Sequence, residues 1–554
     1  MSKLITDVDL LPTWTRRVAA DLGGRDPLGL SRVAQMIADR LMPGIITQTD
    51  RARYYALYCW ILWHIQQEER PRTDADFVEA FQRREAAVAL ATLLQDEEAS
   101  PVGTRAVGPR LQAAREQGRV AMAFRVLPAS KLGGYGQYYT GCLYQLGLTW
   151  RPEDGFDQVT AAGEELAQAI QATLAGIPYV TRRLFAEPSI ALRDLEQAAE
   201  RLTIDAISRP FARLERERLI QLFFDLREAD DGSDAGSVRR QSLTHILAVM
   251  NAYEQAGIQV VEDTLDEQLL YAPAYFGVLV ENDGERAAAP CPQALLQCRS
   301  YWRQFCLHQY LTVALERLLV AVLEIIDERV QGYSLDEITS RLLGRDFARY
   351  LEDALKGSSG APGALMARLG AGASPGGEPG QGLRKHRPYD HPLSEASLLK
   401  RKVESPAEQV AWSCLLLAVL HDHWRGTAGD PEYRAVMDHA GSSLAAASVL
   451  PLLDGWRVGD TSWRRSLHEL LNTLVITQHD RVMYEKGRLE SCWIDHEGDR
   501  LVHVQDYRPY LRPPRHRQAV DILVDLGLVR RQAGVHGLTA GGREILTRAL
   551  GATA

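Results

Sequence analysis

The chain has 554 residues, 46% hydrophobic and 24% charged, with a net charge of −9. That length accommodates three or four domains and a sizeable buried core. The acidic balance excludes a protein coated in nucleic acid but leaves room for a local basic patch. The seven cysteines are scattered and no C-x-x-C occurs, which predicts reduced thiols in a cytoplasmic protein; lysine is rare and arginine takes its place, as in the product of a GC-rich bacterial genome.

The N-terminus, "MSKLITDVDLLPTW", carries acids where a secretory leader needs basic residues ahead of an apolar run. The most apolar stretch, "YLTVALERLLVAVLEII", is interrupted by Glu316 and Arg317, so no membrane association is expected. Next comes "DRARYYALYCWILWHIQQEE", a helix with Thr49 or Asp50 as its expected cap. Its apolar positions nearly encircle it, which predicts a buried core helix. Tyr54, Tyr55, Tyr58, Trp60 and Trp63 are accordingly read as core aromatics with polar tips, not a base-stacking platform. A capped helix follows in "TDADFVEAFQRREAAVALATLLQ". Gly133, Gly134 and Gly136 lack phosphate-loop spacing and mark a tight turn.

From about 180 to 355 the helical period dominates. The stretch 356–392 is dense in Gly, Pro and Ser and reads as a flexible linker. Helices resume in "SPAEQVAWSCLLLAVLHDHWRG" and "SWRRSLHELLNTLVITQHDRVMYEKG"; strands are expected only near the end, in the hairpin "RLESCWIDHEGDRLVHVQ". The predicted fold is mainly α and multi-domain, with small hairpins only. Its expected parts are 1–180, 181–355, the linker 356–392, 393–475, and a hairpin plus closing module over 476–554.

One pattern occurs twice. "LYQLGLTWRPEDGFDQVTAAGEEL" runs from Leu143 and "LVDLGLVRRQAGVHGLTAGGREIL" from Leu523. Each has a helix ending in L-G-L, a two-stranded turn, and a helix opened by T-A-x-G. The C-terminal copy, 513–550, resembles the closing half of winged-helix regulators of the MarR and PadR kind. The N-terminal copy, 135–170, carries the same pattern. The resemblance implies winged-helix modules near both ends of the chain. It also implies a recognition helix whose start carries Arg512, Arg515, His516 and Arg517 and a wing carrying Arg530, Arg531 and His536, facing duplex DNA. Residues 501–554 hold eight Arg against four Asp and Glu, a local basic footprint consistent with phosphate contact. Asp154 and Asp157 on the first wing would repel phosphate, so that copy is read as a packing or protein-binding module.

No lysine is followed by Ser or Thr and none has an acid two residues before it, which argues against a P-loop and against the common metal-nuclease signature. "HELLN" lacks the second histidine of a zinc protease, His421 and His423 sit on opposite sides of a helix, and His479-Asp480 with Asp495 lacks a third ligand. Cys291, Cys298, Cys306 and His308 read as buried small side chains. No catalytic, metal or cofactor site is therefore predicted. The segments "TQTDRARYYALYCWILWH" and "GGYGQYYTGCLYQLGL" resemble those of large bacterial proteins of antiphage-defence loci, encoded beside an ATPase, helicase or nuclease. The expectation is a non-enzymatic DNA-binding or scaffold subunit. A kleisin-like bridge of an SMC-type ATPase and a divergent metal-dependent nuclease are the alternatives.

Overall fold

The computed structural model describes residues 26–153, 155–225, 234–282, 284–357, 360–370, 388–424, 444, 449–458, 461–487 and 492–551. They are mainly helical, with antiparallel sheets of two or three short strands. Contacts group the chain into two compact units, 37–303 with 513–554, and 1–36 with 304–512. Each unit joins stretches far apart in sequence, whereas the parts expected from the sequence are consecutive.

The unit formed by 37–303 and 513–554 is built around the helix Ala52–Glu68, buried continuously from Ala52 to Leu62. No face is left for water, as its unbroken apolar pattern predicted. Tyr54 stacks on Tyr58 at 5.4 Å, and Tyr58 meets Tyr139 at 5.1 Å. The polar tips find partners: Tyr55 donates to the Gly44 carbonyl at 2.7 Å and Tyr58 to Glu85 Oε1 at 2.9 Å. Neither expected residue caps this helix. Thr49 closes its own turn on Ile46, and the carboxylate of Asp525 accepts from Ala52 N at 3.0 Å. The cap thus comes from the far end of the sequence, where local pattern gives no sign of it.

The next helix, Asp74–Gln95, is capped by Thr73 as expected, with Asp76 N donating to its hydroxyl. It buries Glu85, which accepts from Tyr58 and from Gly134 N at 2.8 Å. Gly133, at φ 51°, lies so close that a Cβ would stand 1.7 Å from Glu85 Oε2. The glycine run leaves room for a buried acid, but it opens a helical stretch in place of the expected tight turn: Gly134 has right-handed helical dihedrals and Gly136 lies within the π-helical turn Tyr135–Tyr139. A salt bridge of Arg53 with Glu215, at 2.7 Å and wholly buried, ties the central helix to Arg213–Phe224. Strands also occur well before the C-terminus: Arg119–Ala121 pairs with Ser189–Ala191, and Val278–Glu281 with Gly284–Ala288. They are too short for period-2 alternation to reveal them.

In the unit formed by 1–36 and 304–512, the core contains the apolar helix that ends at Asp327 and the helix Pro406–Trp424. No helix among the described residues is long and apolar enough to cross a membrane. The predicted hairpin is present as Ile494–Glu497 and Arg500–His503, and Tyr333–Ser334 adds a third strand through Leu501. Within the Gly/Pro-rich stretch 356–392, Pro362–Gly370 is a helix with Leu365, Met366 and Leu369 buried. Its "ALMARL" core carries helix formers with an apolar stripe, so this part is structured. Residues 358–359 and 371–387 of that stretch lie outside the described residues.

Candidate nucleic-acid interface

The two L-G-L copies close with the same backbone bonds, both in the unit formed by 37–303 and 513–554. In the first, Gly147 at φ 65° ends the helix and Leu148 N donates to Leu143 O at 2.9 Å. In the second, Gly527 at φ 72° does so and Leu528 N donates to Leu523 O at 2.9 Å. Thr149–Trp150 then pairs with Gln158–Val159, and Val529–Gln532 with Val535–Leu538. Each threonine hydroxyl donates to the turn glycine carbonyl, Thr160 to Gly147 at 2.6 Å and Thr539 to Gly527 at 2.8 Å. The same hydroxyls accept from Gly163 N and Gly542 N at 3.2 and 3.0 Å, capping the closing helices Ala161–Leu174 and Ala540–Gly551. A Cβ on Gly163 would lie 2.2 Å from Leu148 O, and one on Gly542 2.1 Å from Leu528 O. The glycines and threonines of the signature thus each have a backbone reason to be there.

The C-terminal module has a third strand that the sequence reading missed. Val260–Val261 pairs with Val535 and His536. The helix before it, Asp234–Gln255, packs on the closing helix Ala540–Gly551 and on the strand Val535–Leu538.

The basic residues expected at a duplex are placed as follows. Arg512 belongs to the unit with 304–512, where it is buried and pairs with Glu316 at 2.5 Å. It is absent from the front helix, which runs His516–Asp525. Arg515 is buried, donating to the Ile45 carbonyl at 2.8 Å and to Asp39 at 2.6 Å. His516 is fully buried against Trp302, ring centroids 4.5 Å apart, and burial pulls its pKa down to about 3. Arg517 pairs with Glu262 at 2.8 Å and Asp266 at 3.3 Å. Arg531 bonds Asp521 and the His536 ring, and His536 Nε2 stands 3.2 Å from Glu262. Arg530 alone of the seven is exposed with no ion pair among the described residues.

Two observations bear on the expected interface. No position of the front helix is fully exposed: each is buried or half-buried, and Asp525 at its end pairs with Arg51 at 3.0 Å. The basic excess counted over 501–554 is met by acids from elsewhere, namely Asp39, Glu262 and Asp266, with Glu254 on Arg543 at 2.7 Å. Those partners lie about 250 or more residues upstream, so a local charge count could not register them.

On the first module, Asp157 is not a surface charge. It is buried and receives Arg151 through two bonds of 2.7 and 2.9 Å and Tyr135 OH at 2.8 Å, with Tyr144 OH as a further donor. It ties this hairpin from inside; Asp154 lies outside the described residues. Tyr144 and Trp150 remain exposed on the same module.

Among the described residues no three His, Cys, Asp or Glu side chains are grouped to hold a metal ion. His479 and His496 both hydrogen-bond Asp480 through their rings, at 3.1 and 2.9 Å, while Asp495 accepts from the His496 backbone N at 2.8 Å. His421 bonds Asp454 at 2.8 Å, and buried His308 bonds the Leu30 carbonyl at 2.9 Å. Comparison with protein families, curated proteins and solved structures finds no match to any of them.

Proposed function

We propose that this chain is a non-enzymatic scaffold subunit of a bacterial, cytoplasmic multi-protein complex. In this reading both L-G-L modules are winged helices used for packing. The partner class implied by the sequence resemblance, an ATPase, helicase or nuclease subunit, would supply the chemistry. The observation that carries the reading is the front helix His516–Asp525, which has no fully exposed position and whose leading arginines are held by Asp39, Glu262 and Asp266. Freeing them for phosphate would break ion pairs before new ones form. Any duplex contact by this module is therefore confined to the wing and led by Arg530, since Arg531 is itself held by Asp521.

The test is an anisotropy titration of duplex DNA at two salt concentrations, comparing the full chain with the double variant Arg530→Ala, Arg531→Ala. Wing-only contact predicts weak binding and a small salt slope, reduced by no more than about 0.9 for each lost phosphate contact. Tight binding with a steep slope that survives the wing substitutions would overturn the scaffold reading. It would return the front helix to DNA.

A further inference from the structure

Arg317, one of the two charges that interrupt the most apolar helix of the chain, has no ion pair or hydrogen bond among the described residues. Its guanidinium lies over the Trp412 ring at 4.1 Å, and its Nη1 is shielded from water without a partner. Every other arginine singled out above as buried or half-buried is met by a carboxylate or a carbonyl. Burial lowers the Arg317 pKa from its ordinary value, as expected for a cation lacking a compensating anion. The side chain opens onto a cleft of about 420 Å³ in the unit formed by 1–36 and 304–512. Val320, Leu323 and Glu324 follow it on one face of the helix, and Val403 and Pro509 line the cleft with them.

Two further features bear on what fits there. Arg508, at the rim, is exposed and also lacks an ion pair among the described residues. The lining acids are engaged or turned away. Both Glu324 oxygens accept from Gln409 Nε2 at 3.0 Å, while Asp506 is 94% exposed and stands 3.2 Å from His503. The wall carrying Arg508 is fixed from behind: Tyr507 OH donates to Glu316 at 2.7 Å, and Arg512 N donates to Gln309 at 2.7 Å. The cleft thus presents two guanidinium groups that no carboxylate pairs with directly, beside aliphatic surface on a preorganised wall.

We propose that this cleft binds a monoanionic carboxylate with an aliphatic body, the carboxylate on Arg317 and Arg508 and the body on Val320, Leu323, Val403 and Pro509. A guanidinium edge matches a carboxylate geometrically. The nearby carboxylates of Glu324 and Asp506 disfavour a doubly charged phosphate. Two sources share this chemistry, a free short-chain acid and the C-terminus of a peptide ending in an aliphatic residue.

The experiment is isothermal titration of the full chain with four probes: 4-methylpentanoate, 4-methylpentanamide, and an acetylated tetrapeptide ending in leucine with free or amidated C-terminus. The expected result is saturable binding of at least one acid at Kd of about 1 mM or tighter, weakened about tenfold or more by amidation. Binding of the small acid identifies a free-acid site. Binding of the free-terminus peptide alone identifies a chain terminus. Arg317→Gln should abolish the acid-over-amide preference, and Arg508→Ala, at an exposed rim position, should weaken acid binding without affecting the fold. Should Arg317→Gln fail to fold, the acid and amide pairs on the unaltered chain and on Arg508→Ala decide alone. No saturable binding by either acid, or equal binding of acid and amide, overturns the proposal.

Discussion

Replacing Glu85 with Gln isolates one buried acid and gives a signed pH dependence. Glu85 is fully buried, and burial pushes its pKa from 4.5 up to about 7 against hydrogen bonds from Gly134 N, Tyr58 and Tyr135 N. Those groups and the surrounding tyrosine rings face it, and no cation contributes. The folded state therefore holds this proton more tightly than the unfolded state. The stabilisation is complete below pH 4.5, falls as pH rises toward 7, and is gone above that value. Across the window the loss is about 3 kcal/mol at 1.36 kcal/mol for each pH unit. Gln keeps an oxygen for Gly134 N and Tyr58 but cannot ionise, so Glu85→Gln should remove this slope. Other buried acids titrate too, among them Glu316 and Asp525, so the informative quantity is the difference between the two proteins at each pH. Hydrogen exchange by mass spectrometry on peptides spanning 80–95 and 132–146, from about pH 5 to pH 8, reads local opening free energy. The wild type should lose protection relative to the variant as pH rises. Parallel profiles would show that the carboxyl is not held protonated by its surroundings and would refute the argument.

The backbone cradles give a second test. Gly163→Ala and Gly542→Ala should each cost about 1–3 kcal/mol, read as a lowered thermal midpoint, because the new Cβ meets a carbonyl oxygen that the strand fixes in place. Gly141→Ala is the control: nothing lies within 4 Å of its Cβ position, so it should be neutral or stabilising by up to about 1 kcal/mol. Equal shifts for all three would sink the cradle argument. Arg512→Ala leaves Glu316 buried without its cation and should cost about 3–5 kcal/mol in urea denaturation. Adding Glu316→Gln should recover part of that loss, and no recovery would argue against an ionised pair.

Helix positions were legible wherever a period or a cap is written locally. The all-round apolar run predicted the buried helix Ala52–Glu68, and Thr73 predicted the start of the next. The terminal hairpin was legible from alternation around "DHEGD". What escaped were relations between distant residues. Asp525 caps a helix that starts at Ala52, and Val260–Val261 completes a sheet whose other strands begin at Val529. The surroundings of the basic residues escaped for the same reason. Arg515 and Arg517 looked uncompensated because Asp39, Glu262 and Asp266 are remote in sequence. Arg317 registered only as a break in an apolar run; a lone charge there gives no sign of whether a partner awaits it in the fold.

The repeated L-G-L and T-A-x-G signature shows why a motif can be sound about shape and silent about ligand. Its glycines satisfy a left-handed helix end and a close carbonyl approach, and its threonines bridge a turn carbonyl to a helix N-terminus. Those bonds are all made within the module, so the signature itself specifies no outward-facing side chain for a partner. The outward chemistry of the two copies is set by residues the signature does not constrain, and there they diverge. The first buries Asp157 under Arg151, Tyr135 and Tyr144 and leaves Trp150 exposed. The second draws its arginines into contacts with upstream acids and leaves Arg530 exposed. A duplex-reading role inferred from the signature alone would thus apply equally to both copies. The side chains that would have to carry it are arranged differently in each, and in the C-terminal copy most of them are already engaged within the chain.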